Sequence, residues 1–488
     1  MEAAAMHFLF LGIHGDVNGN NMDGCEEAEE EEAEEEETEE EETGEDRIRS
    51  LVQEFFSAPP SVNCSIKRVD MSVVERWVTE LGVGWVLSLD DGASAREELD
   101  LDDAQCWIWA LEEIAQTICF KRLFPDRGSM GLPSASICDE EGEQVGDGER
   151  CIPDQYHLVL FIQETMLKVL TFVDVVVAWD PNMGEELISM DGVMPPPYNK
   201  IITLLGVHDA LSEVSYKIAA QFYWASSVEV KRIENEMAIL LSAYKSKVGE
   251  ATMSTMEEIR TRLLEDGNDS SSSLNPQESS DIHKVTRSVM TYIRFLWANY
   301  SSVDAAIRGK YVPHIENVQH LDSMIIEMVS CLQEKLAKIS ESFPNQGLKF
   351  LFLLNNSYYI QEIHSHSLYS LQRRSEIVVN LTHKIEGYME KYLQVSWALL
   401  LSCLINPTSI CLGKNYSPLS KFESEFQKMY TTQKQWKVPD PRLRRRLRKV
   451  ITNKIIPGYT EYIEDEKVTS PKISPLEMEA MLQEIFEG

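Results

Sequence analysis

The strongest concentration of chemically active side chains in this sequence is a basic cluster toward its carboxyl end. The 488-residue chain carries a formal net charge of −35. Between residues 442 and 449, however, six of eight side chains are cationic: Arg442, Arg444, Arg445, Arg446, Arg448 and Lys449. Clustered guanidinium and ammonium groups bind carboxylates and phosphates through charge-assisted hydrogen bonds. The cluster therefore indicates an anion-binding surface, and the elements around it must position it.

The residues before the cluster predict that it opens a helix. Asp440 followed by Pro441 is typical of an N-cap and a first helical position. The cations then fill the first two turns, where the partial positive charge of the helix amino end disfavours them. A sequence that breaks a local rule in this way usually gains a contact elsewhere.

One face of this helix is apolar and predicts docking on the rest of the protein. Its members are Leu443, Leu447, Val450, Ile451 and Ile455. Because side chains four residues apart share a helical face, Arg445 and Lys449 lie together on the opposite side. Arg442 and Arg446 flank them. We call these four residues the cationic face.

Two partners for the cationic face remain open: acidic side chains of the same molecule and an anionic membrane surface. A lysine or arginine near an anionic leaflet contributes about 1 kcal/mol, so four well-aimed residues would contribute about 4 kcal/mol. Nucleic acid is disfavoured, because the acidic remainder of the chain repels phosphate backbones and no aromatic stacking platform accompanies the arginines.

A shorter helix signal follows the basic helix. Ser474, Pro475 and Glu477 predict a capping-box start. An apolar docking stripe follows at Met478, Met481, Leu482, Ile485 and Phe486. Lys467 and Lys472 lie in the segment between the two predicted helices.

Signals for enzymatic or metal chemistry are missing from the sequence. It contains no phosphate-binding glycine loop, no HExxH zinc motif, no GxSxG elbow and no calcium loop. His364 and His366 form one HSH pair, without the clustered carboxylates or thiolates of a metal site. The nine cysteines include no CxxC pair, which indicates free thiols in a reducing compartment. We predict no enzymatic activity, no metal site and no cofactor.

The acidic residues are concentrated between Glu26 and Asp46, where sixteen acidic side chains occur with no basic one. Such a run repels itself and has nothing apolar to bury, so we predict disorder over residues 1–46. Two roles remain open for this run: a solubilising tail, or a mobile polyanion that competes for the basic helix.

Neither a signal peptide nor a transmembrane span is predicted. The apolar stretch from Met6, MHFLFLGI, is short and lacks a basic flank and a cleavage pattern. The longer stretch LVLFIQETMLKVLTFVDVVVAW is interrupted by Glu164, Lys168 and Asp174. We therefore expect a cytoplasmic protein whose contact with any membrane is peripheral.

Helical periodicity dominates the chain, and alternating strand patterns are nearly absent, so we predict an all-α fold. Predicted helices cover Gln155–Trp179, Ile201–Leu264 (as two or more), Ile315–Phe343, Gly347–Ser370, Ile377–Leu404, Pro418–Tyr430, Pro441–Ile463 and Pro475–Phe486. The predicted organisation is a disordered segment over 1–46, a short helical segment over 47–102 and a helical-bundle region over 103–488, with flexible loops near 126–153 and 265–281.

One predicted helix is apolar around most of its circumference and should lie at the centre of the fold. This helix is LKFLFLLNNSYYIQEI, residues Leu348–Ile363. Asn355 and Asn356 in its middle require partners, because an unpaired buried amide costs roughly 1–3 kcal/mol. We predict that they fix the helix register or bind the backbone of a neighbour.

Several of these segments resemble the 70-kDa exocyst subunit family. LKFLFLLNNSYYI is similar to the family's leucine- and phenylalanine-rich helix that ends in Asn-Asn and a tyrosine. YMEKYLQVSWALLLSCL resembles its helix with a central Ser-Trp, and the block from Lys421 to Ile463 is similar to its most recognisable region. HKVTRSVMTYIRFLW and SPLEMEAMLQEIFEG also match, the former to plant members in particular. The resemblance runs in order from about Gln105 to Gly488.

The resemblance implies a fold and a function. It implies an elongated rod of stacked antiparallel helical bundles, acting in an exocyst complex that tethers secretory vesicles at the plasma membrane during exocytosis. It also implies binding of phosphatidylinositol 4,5-bisphosphate through basic C-terminal residues, and Lys467 and Lys472 lie where that motif falls. The candidate lipid-binding residues are therefore Arg442, Arg445, Arg446, Lys449, Lys467 and Lys472.

The implied partners are other exocyst subunits, small GTPases or other regulatory proteins, and an anionic phosphoinositide membrane surface. Family members usually carry a long N-terminal coiled-coil region that bundles with other subunits, and here about a hundred residues precede the matching core. The alternative expectation is a specialised plant adaptor or decoy, in defence or regulated trafficking, that no longer assembles stably into the exocyst.

Overall fold

The protein's structure is a computed structural model in which ten stretches of the chain are described. These are residues 44–56, 69–91, 101–118, 155–180, 196–223, 225–265, 279–308, 320–366, 371–405 and 417–488. The predicted loop near 126–153 and residues 26–43 of the acidic run lie outside them. From Gly44 onward the chain forms one compact unit.

The described residues form α-helices, and the all-α prediction is confirmed. The helices are α1 Gly44–Phe55, α2 Met71–Glu80, α3 Leu101–Thr117, α4 Gln155–Val169, α5 Thr171–Ala178, α6 Pro196–Phe222, α7 Val228–Glu265, α8 Lys284–Ala298, α9 Tyr300–Arg308, α10 His320–Glu341, α11 Gln346–His366, α12 Leu371–Leu393, α13 Leu399–Ile405, α14 Pro418–Lys434, α15 Pro441–Asp465 and α16 Pro475–Leu482. A 3₁₀ segment covers Gly84–Asp91, and a π-helical segment, Gln394–Ala398, joins α12 to α13. Within the described residues no strand forms, and one isolated antiparallel bridge links Lys437 to Glu487.

An N-terminal core is built from the apolar faces of α1 to α7. Trp77 stacks on Phe161 with ring centroids 5.2 Å apart. The indole Nε1 of the fully buried Trp107 donates a hydrogen bond to the Val169 carbonyl at 2.9 Å. Because α1 and α2 lie in the same core as α3 and α4, the short segment predicted over 47–102 packs directly on the helices that follow it.

A C-terminal core extends from α6 to α16 and contains the candidate site. Helices α6 and α7 contribute to both cores: Leu204 and Ile233 face the N-terminal core, while Ile201 and Ile259 face the C-terminal one. With 38 residues, α7 is long enough, at about 57 Å, to pass from one core to the next. The two cores therefore stack along shared helices.

Several predicted helix limits differ from the structure; α14, for example, ends at Lys434 instead of Tyr430. Two further differences have a structural cause. The segment predicted as one helix over Ile377–Leu404 contains the π-helical segment, which buries Ser396 and Trp397. The last helix ends at Leu482 instead of Phe486, because the residues that follow bond to an extended segment: the Val438 N–H donates to the Phe486 carbonyl at 3.2 Å. Phe486 is buried with φ of 71°, which no α-helix allows.

None of the helices in the described part of the chain is both long and apolar enough to cross a membrane.

Candidate anion-binding surface

Helix α15 begins as its sequence predicts. The Asp440 side chain accepts hydrogen bonds from the backbone N–H groups of Arg442 and Leu443, both at 2.8 Å, and Pro441 occupies the first helical turn. The N-cap prediction is confirmed. The cap provides the only negative charge in the opening of α15, because its first turn contains no acidic residue.

The apolar face of α15 docks on the C-terminal core. Its buried residues are Leu443, Leu447, Ile451, Ile455 and Tyr459, and Val450 packs at the border. This burial fixes the rotation of the helix about its axis. Arg442, Arg445, Arg446 and Lys449 consequently lie exposed, as predicted.

The arginines at the other edge of the helix bind a carboxylate near the end of the sequence. Arg444 and Arg448 pair with the two oxygens of Glu487, at 2.7 and 2.6 Å. The Nε of Arg448 also donates to the Ile485 carbonyl at 3.1 Å. The hydrogen bond from Arg448, with the charge of Arg444, lowers the pKa of Glu487. These two arginines join α15 to the segment after α16.

Two members of the cationic face also have acidic partners. Arg442 pairs with Glu362 of α11, and Arg446 pairs with Glu386 of α12. The Glu362 charge raises the pKa of the Arg442 guanidinium. All four side chains remain partly exposed, so each pair contributes little to folding, typically about 0–1 kcal/mol. Pairing within the molecule, one of the two alternatives, thus accounts for four of the six cations in the cluster.

Arg445 and Lys449 differ from these four arginines. Both are exposed, and neither forms an ion pair with any residue that the structure describes. They lie one helical turn apart on the outer surface of α15. The cationic face therefore presents two uncompensated positive charges to solvent, with two exchangeable ion pairs beside them.

Lys467 and Lys472 lie in the loop after α15, whose last residue is about 36 Å along the helix axis from Pro441. Both side chains are exposed. The last part of the helix is acidic, through Glu461, Glu464, Asp465 and Glu466. The structure therefore separates the six candidate residues: it places four on the basic half of α15 and two beside a group of carboxylates that weakens their attraction for anions.

The loop that carries these two lysines is held at both ends. Lys467 has φ of 49°, a left-handed conformation that turns the chain out of the helix. The Lys472 N–H donates to Oε1 of the buried Glu423 at 2.8 Å. The Tyr459 hydroxyl donates to the Ile473 carbonyl at 2.8 Å. The role of Glu423 was not predicted, although a carboxylate next to Phe422, on the buried face of a helix, is a signal that could have revealed it.

Asn355 and Asn356 bind neighbouring backbone, as predicted for buried amides in the central helix α11. Asn355 Nδ2 donates to the carbonyls of Ser280 and Lys437, at 2.7 and 2.9 Å. Asn356 Oδ1 accepts from the His283 N–H at 2.9 Å and from the Thr286 hydroxyl at 2.7 Å. We call this pair the asparagine anchor.

The asparagine anchor fixes the chain that leads into α15. Asn356 Nδ2 also donates to the Phe352 carbonyl of its own helix at 2.8 Å, while Asn355 Oδ1 is buried without a partner among the described residues. The hydroxyl of the buried Ser280 donates to the Lys437 carbonyl at 2.7 Å and accepts from the Lys437 N–H at 2.9 Å. Ser280 lies in the stretch predicted as a flexible loop near 265–281, of which residues 266–278 lie outside the described part.

Metal chemistry finds no support in this region. Among the residues that the structure describes, no three acidic, histidine or cysteine side chains are grouped as metal ligands. The side chains of His364 and His366 lie outside the described residues.

Comparison with known proteins gives one family. The family model for the C-terminal part of Exo70, a component of the exocyst complex, matches residues 162–484, about two thirds of the chain. The match includes the asparagine anchor and all of α15.

Curated relatives from Arabidopsis thaliana agree with the family model. Exocyst complex component EXO70B2 is 27% identical over 193 residues, which cover 40% of this chain and 32% of the relative. Exocyst complex component EXO70A1 is 21% identical over 319 residues, which cover 59% of this chain and 47% of the relative. The chain thus aligns with about a third to a half of the length of these relatives.

Two solved structures of Exo70 are also similar. One S. cerevisiae Exo70 structure is 14% identical, with a TM-score of 0.39, covering 91% of this chain and 86% of that chain. A second, of the exocyst subunit Exo70p, is 14% identical with a TM-score of 0.37, covering 90% and 85%. Because the family model matches residues 162–484, this chain belongs to the Exo70 exocyst subunit family.

Proposed function

We propose that this protein acts as an exocyst subunit or closely related adaptor, which helps secretory vesicles dock at the plasma membrane by holding partners together and makes or breaks no covalent bond. The observation that carries this proposal is the family-model match over residues 162–484. The expected partners are other exocyst subunits, with small GTPases or other regulatory proteins as further candidates. The protein would work from the cytoplasm, at the membrane periphery.

The cationic face supplies the proposed contact with anionic phosphoinositide headgroups. Its support is the pair of exposed, uncompensated charges on Arg445 and Lys449. At about 1 kcal/mol per cation near an anionic leaflet, the pair contributes about 2 kcal/mol. A contribution of this size holds the protein at a membrane only when other contacts act with it, as they do in a multivalent tether.

Vesicle sedimentation tests the lipid contact. We expect Arg445→Glu with Lys449→Glu to lower binding to vesicles containing phosphatidylinositol 4,5-bisphosphate by roughly 30-fold, since the contribution of two cations is lost. The matched control is Arg232→Glu with Lys247→Glu, which makes the same change in net charge on the exposed surface of α7. Unchanged binding by the first variant would remove the cationic face from the mechanism.

Co-purification tests the tethering role separately. We expect other exocyst subunits to accompany the tagged full-length protein from plant cell extracts, in amounts that Arg445→Glu with Lys449→Glu leaves unchanged. If none of these subunits accompanies it, the tethering role is contradicted, and the specialised adaptor or decoy becomes the better description.

A further inference from the structure

The sequence contains three Ser-Pro dipeptides, and two of them have a clear structural role. Ser417 caps α14: its hydroxyl accepts from the Ser420 N–H at 3.2 Å, and Pro418 opens the helix. Ser474 caps α16 in a capping box: its hydroxyl accepts from the Glu477 N–H at 3.2 Å. Serine at the N-cap and proline at the first helical position are a frequent helix start.

The third dipeptide, Ser470–Pro471, starts no helix. It lies in the loop between α15 and α16, four residues before the cap of α16. Ser470 is exposed, and its hydroxyl has no hydrogen-bond partner among the described residues. Helix capping, which accounts for the other two Ser-Pro dipeptides, therefore does not account for Ser470–Pro471.

The loop presents this serine between two fixed points. On one side, the Val468 N–H bonds to the Ile463 carbonyl at 3.0 Å, closing the end of α15. On the other, Glu423 holds the Lys472 N–H. Between these bonds, no backbone hydrogen bond to a described residue restrains Thr469 or Ser470. Helix-end bonds such as that of Val468 fray readily, so the tip can extend into the groove of an enzyme.

We propose that Ser470 is a phosphorylation site for a proline-directed serine/threonine kinase. Such kinases select a serine followed by proline, which offers no backbone N–H. The Ser470 Oγ attacks the γ-phosphorus of ATP, and the new Oγ–P bond replaces the bond from that phosphorus to the β–γ bridging oxygen. ADP leaves, and the hydroxyl proton passes to the catalytic base of the kinase.

Phosphorylation changes the charge of the loop. The phosphate adds roughly −1.5 to −2 charge, about enough to cancel Lys467 and Lys472, which flank Ser470 on the two sides. It also lies near the carboxylates at the end of α15. If the proposed lipid contact holds, on which this consequence rests, phosphorylation strengthens the repulsion between the acidic end of α15 and an anionic membrane.

Phosphate mapping tests the site without reference to lipid. The full-length protein is incubated with ATP and a purified mitogen-activated protein kinase, and phosphorylated positions are mapped by mass spectrometry. We expect phosphate at Ser470 and at least tenfold less at Ser474 and Ser417, whose hydroxyls cap helices. In a synthetic peptide of residues 464–480, where no cap holds Ser474, both serines should be modified.

The mapping has two outcomes that overturn the proposal. In the first, the kinase phosphorylates the peptide but does not phosphorylate Ser470 in the full-length protein. In the second, Ser470 and Ser474 of the full-length protein are phosphorylated to the same extent. Ser470→Ala should abolish the main phosphate without changing the thermal unfolding midpoint.

A second measurement tests the consequence for lipid. Phosphorylated protein and protein with Ser470→Ala, treated identically, are sedimented with vesicles containing phosphatidylinositol 4,5-bisphosphate. We expect several-fold lower binding of the phosphorylated protein. Equal binding would overturn the regulatory consequence, whereas failure of both proteins to bind any vesicle would contradict the proposed lipid contact and leave the mapped site standing.

Discussion

The polar groups of the asparagine anchor are buried and those of the cationic face are exposed, although Asn355 bonds to Lys437, which lies just before the helix that carries the face. Asn356 is fully buried, and it uses its side-chain oxygen and nitrogen in hydrogen bonds. Arg442 and Arg446 are exposed, and their carboxylate partners, Glu362 and Glu386, can be replaced by water or another anion; Arg442 also lies 3.9 Å from Asp440. Buried polar groups must be paired for the protein to fold, whereas exposed charges can exchange partners. The anchor therefore fixes the position of α15, and the face remains available for binding.

The largest effect should come from the anchor. Replacing Asn356 with alanine leaves the buried Thr286 hydroxyl and the His283 N–H without their acceptor. We expect the free energy of unfolding to fall by about 2–4 kcal/mol, measured by chemical denaturation. Binding to anionic vesicles, measured below the unfolding transition, should not change.

The matched control for this substitution is Asn453→Ala on the exposed surface of α15. Its effect on stability should stay within about 0.5 kcal/mol, since no buried partner depends on it. Similar losses in the two variants would contradict the contrast between buried and exposed amides.

At the cationic face, we expect vesicle binding to change while stability changes little. Glu362→Gln with Glu386→Gln frees Arg442 and Arg446, so binding to anionic vesicles should rise by roughly 30-fold, as two cations become available. Stability should change by no more than about 1 kcal/mol per pair. Vesicle sedimentation and chemical denaturation of the same sample check both statements.

Glu229→Gln with Glu236→Gln on α7 provides the control, because both carboxylates pair with the exposed Arg232. An equal rise in vesicle binding with this control would show that net charge, and not the cationic face, governs the contact.

The smallest expected effect is a pH dependence of the unfolding free energy, caused by His283 next to the asparagine anchor. Burial, together with the charges of Lys284 and Lys335, lowers the pKa of His283 to about 4. An unfolded histidine titrates near pH 6.5, so between these values the unfolded chain binds a proton that the folded chain does not. The stability contributed by His283 is therefore lost as the pH falls from about 6.5 toward 4.

The size of this effect should be on the order of 1 kcal/mol at pH 5, after allowing for the partial exposure of the ring. His283→Asn keeps a residue that can cap α8 and removes the titrating group. The difference in unfolding free energy between the two proteins should therefore change between pH 7.5 and pH 5. A difference that is constant with pH would contradict the assignment.

Local signals predicted much of this region. Asp440 and Pro441 start α15, Ser474 and Glu477 form the capping box, and the buried face of α15 has the expected residues. Each of these features depends on side chains within one or two turns of each other, and spacing in the sequence reports such contacts directly.

Long-range contacts could not be predicted in the same way. The partners of the arginines come from Glu362, Glu386 and Glu487, which lie 39 to 80 positions from them in the sequence. Ser280 follows a run of serines that looks like a linker, yet it is buried against Lys437. The last helix ended earlier than predicted because pairing with residues 436–438 outweighs a helical pattern of only a few residues.

The charges on α15 run opposite to its peptide dipoles, with arginines at the amino end and carboxylates at the carboxyl end. The helix thus carries charges of opposite sign at its two ends, about 36 Å apart along its axis. Within about one Debye length of a negatively charged surface, such an axis experiences a torque that brings the amino end inward and the carboxyl end outward. The charges of this helix therefore favour an approach to such a surface with the amino end of α15 leading, before any headgroup is bound.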